Sequence, residues 1–136
     1  MATEGSPNGG LDEHAERVYV NGADLTLVAY TNAADSLNET TVAANLVQPT
    51  SANGYAPIVL SGTWVTLDGV VTYTHPGSTH PDGHPGWTAT AAWSGTVRGV
   101  AVIFGTRVMH FKDLTVPFVA SNLRKLFVDL ATLVAP

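Results

Sequence analysis

The chain has no cysteine and few charged residues. The absence of cysteine excludes disulfide cross-links and thiolate chemistry, so packing alone must stabilise the fold. Charged residues make up only 12% of the chain and hydrophobic residues 45%, a balance that excludes a disordered protein and predicts a largely neutral surface. Its 136 residues are enough for one domain with its own core.

Long apolar runs and nucleotide-binding motifs are absent as well. No segment approaches the roughly 20 apolar residues of a membrane span, and the first ten residues lack the basic and apolar parts of a secretion signal. Neither G-x-x-x-x-G-K-[ST] nor G-x-G-x-x-G occurs, and no dense basic face is evident. We therefore expect a soluble protein with no membrane, nucleic-acid or small-molecule partner and no cofactor.

The few charges are unevenly distributed along the chain. Residues 1–39 hold seven of the eleven acidic residues and one basic residue, whereas five of the six basic residues follow position 97. Charges of opposite sign can pair within one chain or between neighbouring copies, where complementary patches set the register. Either arrangement favours a protein partner.

Short β-branched and apolar segments recur along the chain and are separated by glycine-containing turns such as Asn53-Gly54, Asp68-Gly69 and Gly105-Thr106. This pattern predicts an all-β fold, an antiparallel β-sandwich or a jelly-roll-like barrel over residues 17–136, preceded by an extended N-terminal arm over residues 1–16. The predicted strands are Arg17–Val20, Asp24–Thr31, Ala56–Leu60, Thr63–Leu67, Val70–Tyr73, Thr88–Trp93, Val97–Phe104, Arg107–Lys112 and Arg124–Leu133.

The apolar pattern also predicts the core and leaves two segments open. Gly99–Phe104 is apolar on both faces and is expected to be a central strand covered on both sides. Leu37–Leu46 reads as a loop or a short helix. Residues 123–134 also fit a helical stripe capped by Asn122, although we favour a strand there. The adjoining core is predicted to include Val65, Leu67, Val71 and Tyr73.

A loop rich in proline and glycine carries the most distinctive chemistry. His75, His80 and His84 lie in Thr74–Trp87 with Asp82 between the last two, and these four groups are candidate ligands for zinc or nickel. Each histidine precedes a proline, which pushes it toward extended geometry. We therefore expect a stiff, projecting contact loop rather than a metal site.

Catalytic motifs are missing from the sequence. No G-x-S-x-G elbow is present, and paired carboxylates for glycoside hydrolysis would have to come mostly from the N-terminal third. We therefore predict that the protein is not an enzyme. Exposed tryptophans can form a sugar-binding platform, but we expect Trp64 and Trp93 to cap the core and only Trp87 to lie near a surface.

The order of several segments resembles small β-sandwich virion proteins of tailed bacteriophages. The resemblance rests on DLTLVAYTN at 24–32, SANGYAPIVLSGTW at 51–64, VRGVAVIF at 97–104, RVMHFKD at 107–113 and Pro117-Phe118. It spans roughly residues 24–134. The histidine loop is longer than the corresponding connection in that family, and Met109-His110 replaces a more aromatic pair.

The resemblance implies a structural role without enzymatic activity. We expect a capsid decoration or cement protein that forms a symmetric homo-oligomer, contacts the major capsid protein or other virion proteins and, after synthesis in the host cytoplasm, resides in the virion. A tail, neck or baseplate subunit is the first alternative, and a carbohydrate-binding module of a receptor-binding device is the second. The expected partner contacts are Glu4, Pro7, Leu11, His75, His80, His84 and Trp87.

Overall fold

Antiparallel strands make up nearly all the regular structure of the chain, which confirms the predicted all-β fold. The computed structural model describes residues 4–5, 25–67 and 70–130. The strands in these residues are β1 Glu4–Gly5, β2 Thr26–Tyr30, β3 Ile58–Val59, β4 Thr63–Leu67, β5 Val70–Thr74, β6 Gly86–Thr88, β7 Val97–Phe104, β8 Arg107–Phe118 and β9 Lys125–Phe127.

Five strands form a main sheet in the order β1-β8-β7-β2-β3, and two separate pairs, β4-β5 and β6-β9, complete the set. Every pairing among them is antiparallel. The hairpin between β7 and β8 turns at Gly105, whose φ of +59° is a conformation that glycine adopts without steric cost. This hairpin provides the two longest strands of the described chain.

Two bulges shape strand β8. The pairing of β7 with β8 shifts between Val102, which pairs with His110, and Ile103, which pairs with Val108, so Met109 is the extra residue of β8 at this point. A larger irregularity leaves four residues of β8, Leu114–Pro117, opposite Arg98 alone. Pro117 falls inside this irregular segment, where a missing backbone donor costs no ladder hydrogen bond.

Both faces of the main sheet are buried, as predicted for Gly99–Phe104. Alternate residues of β2 and β7 point into two different cores because successive side chains of a strand point to opposite faces. The first core contains Leu27, Ala29, Val100 and Val102, and it is closed by Tyr73, Trp87, Val128 and Leu130 from the second layer. The second core contains Val28, Tyr30, Ala101, Val108 and Phe111, covered by Leu37 and Leu46.

The layer over the second core is mostly loop. The segment Leu37–Leu46 contains only the 3₁₀ turn Ala43–Asn45, which agrees with the predicted loop or short helix. Its Leu37 and Leu46 are buried against the sheet, and the Thr31 N–H donates to the Val47 carbonyl oxygen at 2.7 Å. The architecture is therefore sandwich-like, with the main sheet between a layer of strand pairs and a layer of loop.

The side chain of Tyr30 lies over Gly99 in the main sheet and leaves no room for a Cβ atom there. Tyr30 pairs with Gly99, and a Cβ atom placed on Gly99 would lie 2.1 Å from the Tyr30 Cζ atom. The Tyr30 hydroxyl donates to Asp113 Oδ1 at 2.7 Å, while Asp113 Oδ2 accepts the Asp35 N–H at 2.7 Å. Burial, and secondarily the bond to Asp113, raise the pKa of Tyr30 well above its usual range.

Several strand boundaries differ from the predictions. Thr63–Leu67 and Val97–Phe104 are confirmed in full. The predicted strand Thr88–Trp93 is wrong beyond Thr88, because β9 supplies partners only for Gly86–Thr88. For the same reason the predicted strand Arg124–Leu133 ends at Phe127. The predicted strand Arg17–Val20, residues 131–133 and all but Glu4 and Gly5 of the arm lie outside the described residues.

The predicted core needs one correction. Tyr73 is buried as expected, but Val65 is 50% exposed. Val65 lies on β4, one half of a two-stranded sheet, and the face of that sheet opposite to Trp64 and Tyr73 is not covered by the main sheet. Val65 was predicted to be on the buried face of β4, and this prediction is wrong because its side chain lies on the exposed face.

Candidate functional site

The histidine loop connects β5 to β6 and is built from two tight turns. The Ser78 N–H donates to the His75 carbonyl oxygen at 3.3 Å, and the Gly83 N–H donates to the His80 carbonyl oxygen at 2.9 Å. In the first turn Pro76 is followed by Gly77 at a φ of +75°, the pattern of a type II turn. The His75 N–H donates to the Gly83 carbonyl oxygen at 2.9 Å and joins the two turns.

The Ser78 hydroxyl forms hydrogen bonds to the backbones of both His80 and His84. It donates to the His84 carbonyl oxygen at 2.5 Å and accepts the His80 N–H at 3.1 Å. Pro85 beside them is buried, and the Val128 N–H donates to its carbonyl oxygen at 2.9 Å. Hydrogen bonds therefore hold the loop at both ends and across its middle.

The structure brings three of the four candidate ligands to one point. Ligand atoms of His80, Asp82 and His84 all lie within 4.8 Å of one another. The His80 and His84 rings stack with their centroids 4.3 Å apart, and the edge of the His80 ring contacts Phe127 with centroids 5.0 Å apart. The prolines do not keep His80 and His84 apart, because the turn at His80–Gly83 reverses the chain between the two histidines.

His75 is held away from this cluster by Tyr73. The Tyr73 hydroxyl lies 2.8 Å from His75 Nδ1 and accepts the Gly62 N–H at 2.7 Å. The Tyr73 hydroxyl has one proton and two acceptor lone pairs, so while it accepts the Gly62 N–H it can either donate to His75 Nδ1 or accept from it, according to the tautomer of the ring. Burial lowers the pKa of His75 and raises that of Tyr73, which favours the neutral form of both groups.

A cleft of about 280 Å³ opens beside the loop. His75 and His84 lie on its wall together with Phe127, and residues 76–79 form its rim. A second, smaller cleft of about 180 Å³ lies along β8 next to Asp113. Asp113 already accepts hydrogen bonds from Tyr30 and Asp35, so its carboxylate has a structural role in that position.

Trp87 does not lie at a surface, and this prediction is wrong. Its side chain is 4% exposed, and its Nε1–H donates to the Ala56 carbonyl oxygen at 2.7 Å. Tyr55 packs against both Trp87 and Trp93, with ring centroids 5.5 Å and 5.2 Å away, and burial raises the pKa of Tyr55 to about 12. Trp64 and Trp93 are half-buried against the core, as expected. Buried as it is, Trp87 offers no exposed face to a sugar.

The remaining predicted contacts belong to the arm. Glu4 lies in β1, opposite Lys112 at the outer edge of the main sheet. Pro7 and Leu11 lie outside the described residues. Neither the short strand β1 nor its partner edge was anticipated, since two residues are too few to show a periodic pattern.

Comparison with known proteins gives no relative: no family model matches the chain, and no curated protein or solved structure matches it. Over the residues that the structure describes, no helix is both long and apolar enough to cross a membrane.

Proposed function

We propose that this protein is a non-enzymatic structural subunit of a tailed-bacteriophage virion that decorates the capsid and reinforces contacts between coat subunits. The observation that carries the proposal is strand β1, in which Glu4 and Gly5 pair with Lys112 and Phe111 at the edge of the main sheet. Adding a terminal strand to an exposed sheet edge is a general way to join protein subunits.

The length of the arm allows the same pairing to form between two copies. Nineteen residues, 6–24, separate β1 from the described start of the domain, and an extended chain of that length spans at most roughly 65 Å. An arm from a neighbouring subunit can therefore reach the β8 edge and make the pairs that it makes within its own chain. The paired interval is only two residues long, so exchange costs few hydrogen bonds.

Exposed apolar side chains near the end of β8 also support a contact role. Val116, Val119 and Leu123 are 73%, 55% and 71% exposed, and they lie within eight residues of one another in the sequence. Nearby, the Arg124 guanidinium covers the Phe118 ring at 4.8 Å. Large apolar side chains on a surface with few charges are inexpensive to desolvate against another protein.

The hydroxyls of two buried tyrosines have structural partners among the described residues. Tyr30 binds Asp113, and Tyr73 binds Gly62 and His75. Together with the sequence resemblance, this favours assembly over catalysis. The major capsid protein and further copies of this chain are the proposed partners, and the virion is the proposed location.

The copy number in purified particles tests this proposal. Quantitative mass spectrometry of particles freed of host protein measures the molar ratio of the chain to the major capsid protein. Capsid symmetry requires a ratio equivalent to on the order of hundreds of copies of the chain per particle. A count of about six or twelve would replace the capsid role with a tail, neck or baseplate role. Absence of the chain from the particles would overturn the structural proposal.

A further inference from the structure

The strongest feature that the assembly role does not use is the group formed by His80, Asp82 and His84. We propose that these three side chains bind one divalent transition-metal ion of the zinc and nickel class. The inference is independent of the proposed virion function.

The donor set suits such an ion. Two imidazole nitrogens and one carboxylate oxygen are ligands that zinc and nickel accept, and three protein ligands leave a fourth tetrahedral position for water. Ligand atoms bound at about 2.0–2.2 Å in a tetrahedral site lie roughly 3.4 Å apart. The present separations of up to 4.8 Å therefore need to shrink by at most about 1.4 Å, which side-chain rotation can supply.

The loop is organised before any ion binds. The Ser78 hydroxyl bonds the backbones of both histidines, and the bond from the His75 N–H to the Gly83 carbonyl oxygen closes the loop at its base. Pro81 and Pro85 fix φ at the residues that follow His80 and His84. Little backbone entropy remains to be lost when the three ligands converge, which favours binding.

One existing interaction opposes the ion. The Asp82 N–H donates to His80 Nδ1 at 3.1 Å, so the proton of the neutral ring lies on Nε2. Coordination through either ring nitrogen gives up this hydrogen bond, which lowers the affinity about fivefold. A single hydrogen bond is a small loss beside three coordinate bonds, and the backbone amide of Asp82 is exposed enough to bind water instead.

The fourth candidate of the loop, His75, is excluded from the set by its own partner. Its Nδ1 is hydrogen-bonded to the Tyr73 hydroxyl at 2.8 Å. His75 therefore provides a matched control, a histidine of the same loop that is followed by the same residue type but does not belong to the site.

Calorimetric titration of the untagged protein with ZnCl₂ and with NiCl₂ tests the proposal. We expect saturable binding of one ion per chain. His80→Gln and His84→Gln should each weaken binding at least about tenfold, Asp82→Asn should weaken it by a similar factor, and His75→Asn should change it less than about twofold. The visible absorption of Co²⁺ added to the same variants should report the loss of the coordination site directly.

Circular dichroism and the melting temperature of each variant establish that it is folded, and the three ligand positions are exposed or half-buried, where substitution is tolerated. The absence of saturable binding up to about 1 mM metal would overturn the proposal, because the Kd would then be too high for a specific site. Unchanged metal affinity of the double variant His80→Gln/His84→Gln would also overturn it. So would a loss of affinity in His75→Asn as large as the loss in the ligand variants.

Discussion

At the scale of single residues, the Tyr30 ring lies where a side chain of Gly99 would be. The ring lies across β7 and reaches Asp113 on β8, so one side chain links three adjacent strands of the main sheet. A Cβ atom on Gly99 would lie 2.1 Å from both the Cζ and hydroxyl atoms of Tyr30. An aromatic ring covering a glycine on the neighbouring strand is a known way to pin strand register.

Gly99→Ala should therefore destabilise the protein strongly. The added methyl group has to displace a buried ring in a packed core and to break the bond between Tyr30 and Asp113, and we expect a loss of about 2–3 kcal/mol in the free energy of unfolding. Urea denaturation measures the loss.

Gly95→Ala is the matched control. Its added Cβ would meet only the side chain of Thr31, with the methyl group nearest at 3.0 Å, so we expect a change below about 1 kcal/mol in the free energy of unfolding. The double variant Tyr30→Ala/Gly99→Ala should lose less than the sum of its two single variants, because the clash is absent. Equal stability of the Gly99 and Gly95 variants would contradict this account.

At the scale of structural elements, the Tyr73 hydroxyl joins the β4-β5 pair to the histidine loop. The Tyr73 hydroxyl accepts a hydrogen bond from the N–H of Gly62, just before β4, and shares another with Nδ1 of His75, the residue that follows β5. The rings of Tyr73 and His75 also lie against each other, with centroids 5.8 Å apart. Burial of His75 at this junction disfavours its protonated form.

This junction predicts a loss of stability in acid. Burial lowers the pKa of His75 in the folded state, so the unfolded chain binds the proton more readily. The stabilisation is present above the unfolded pKa of about 6.5 and is lost as the pH falls through the folded value. We expect the melting temperature to decrease between about pH 7.5 and pH 5 and the decrease to be smaller in His75→Asn. The same dependence of the melting temperature on pH in the unmodified protein and in His75→Asn would contradict this prediction.

At the scale of the whole molecule, the proposed assembly rests on the arm and on the outer edge of β8. Within the described residues, the strand paired to the outer edge of β8 is β1, over Lys112 and Phe111 alone. Elsewhere in the described part of β8, Arg107 forms a bridge with Val42, and residues 115–117 of the irregular segment Leu114–Pro117 are exposed. The core residues that the structure describes all lie between residues 25 and 130.

Deleting residues 1–16 should leave a folded domain that no longer joins the particle. The core contacts remain, so the melting temperature should fall by no more than a few degrees, the shift expected for a loss of about 1 kcal/mol. Incorporation is measured by mass spectrometry of particles assembled with the variant.

A point variant tests whether the strand pairing of the arm, and not merely the presence of the arm residues, is needed for incorporation. Gly5→Pro removes the backbone donor of Gly5 and fixes its φ, which disfavours the pair with Phe111 while the arm keeps its length. We expect it to reduce incorporation as the deletion does. Full incorporation of the truncated protein would refute the arm mechanism.

Much of the fold could be predicted from local pattern. Thr63–Leu67 and Val97–Phe104 were predicted with their observed ends because short β-branched and apolar runs bounded by glycine turns are a property of the sequence itself. Trp87 was misplaced because burial depends on which strand faces it, and β9 comes from a segment almost 40 residues further on. The convergence of His80 and His84 was missed because it depends on one turn closed by a backbone hydrogen bond.

The sequence by itself determined the all-β class, the absence of disulfides, the positions of the hairpin turns and the chemistry of the histidine loop, since each depends on residue type and short-range spacing. Only the tertiary structure decided which face of each strand is buried, that Tyr30 lies on Gly99, that three loop ligands meet and that the arm can pair with β8. Those outcomes depend on contacts between residues far apart in the chain, whose geometry is set by the packing of the whole fold.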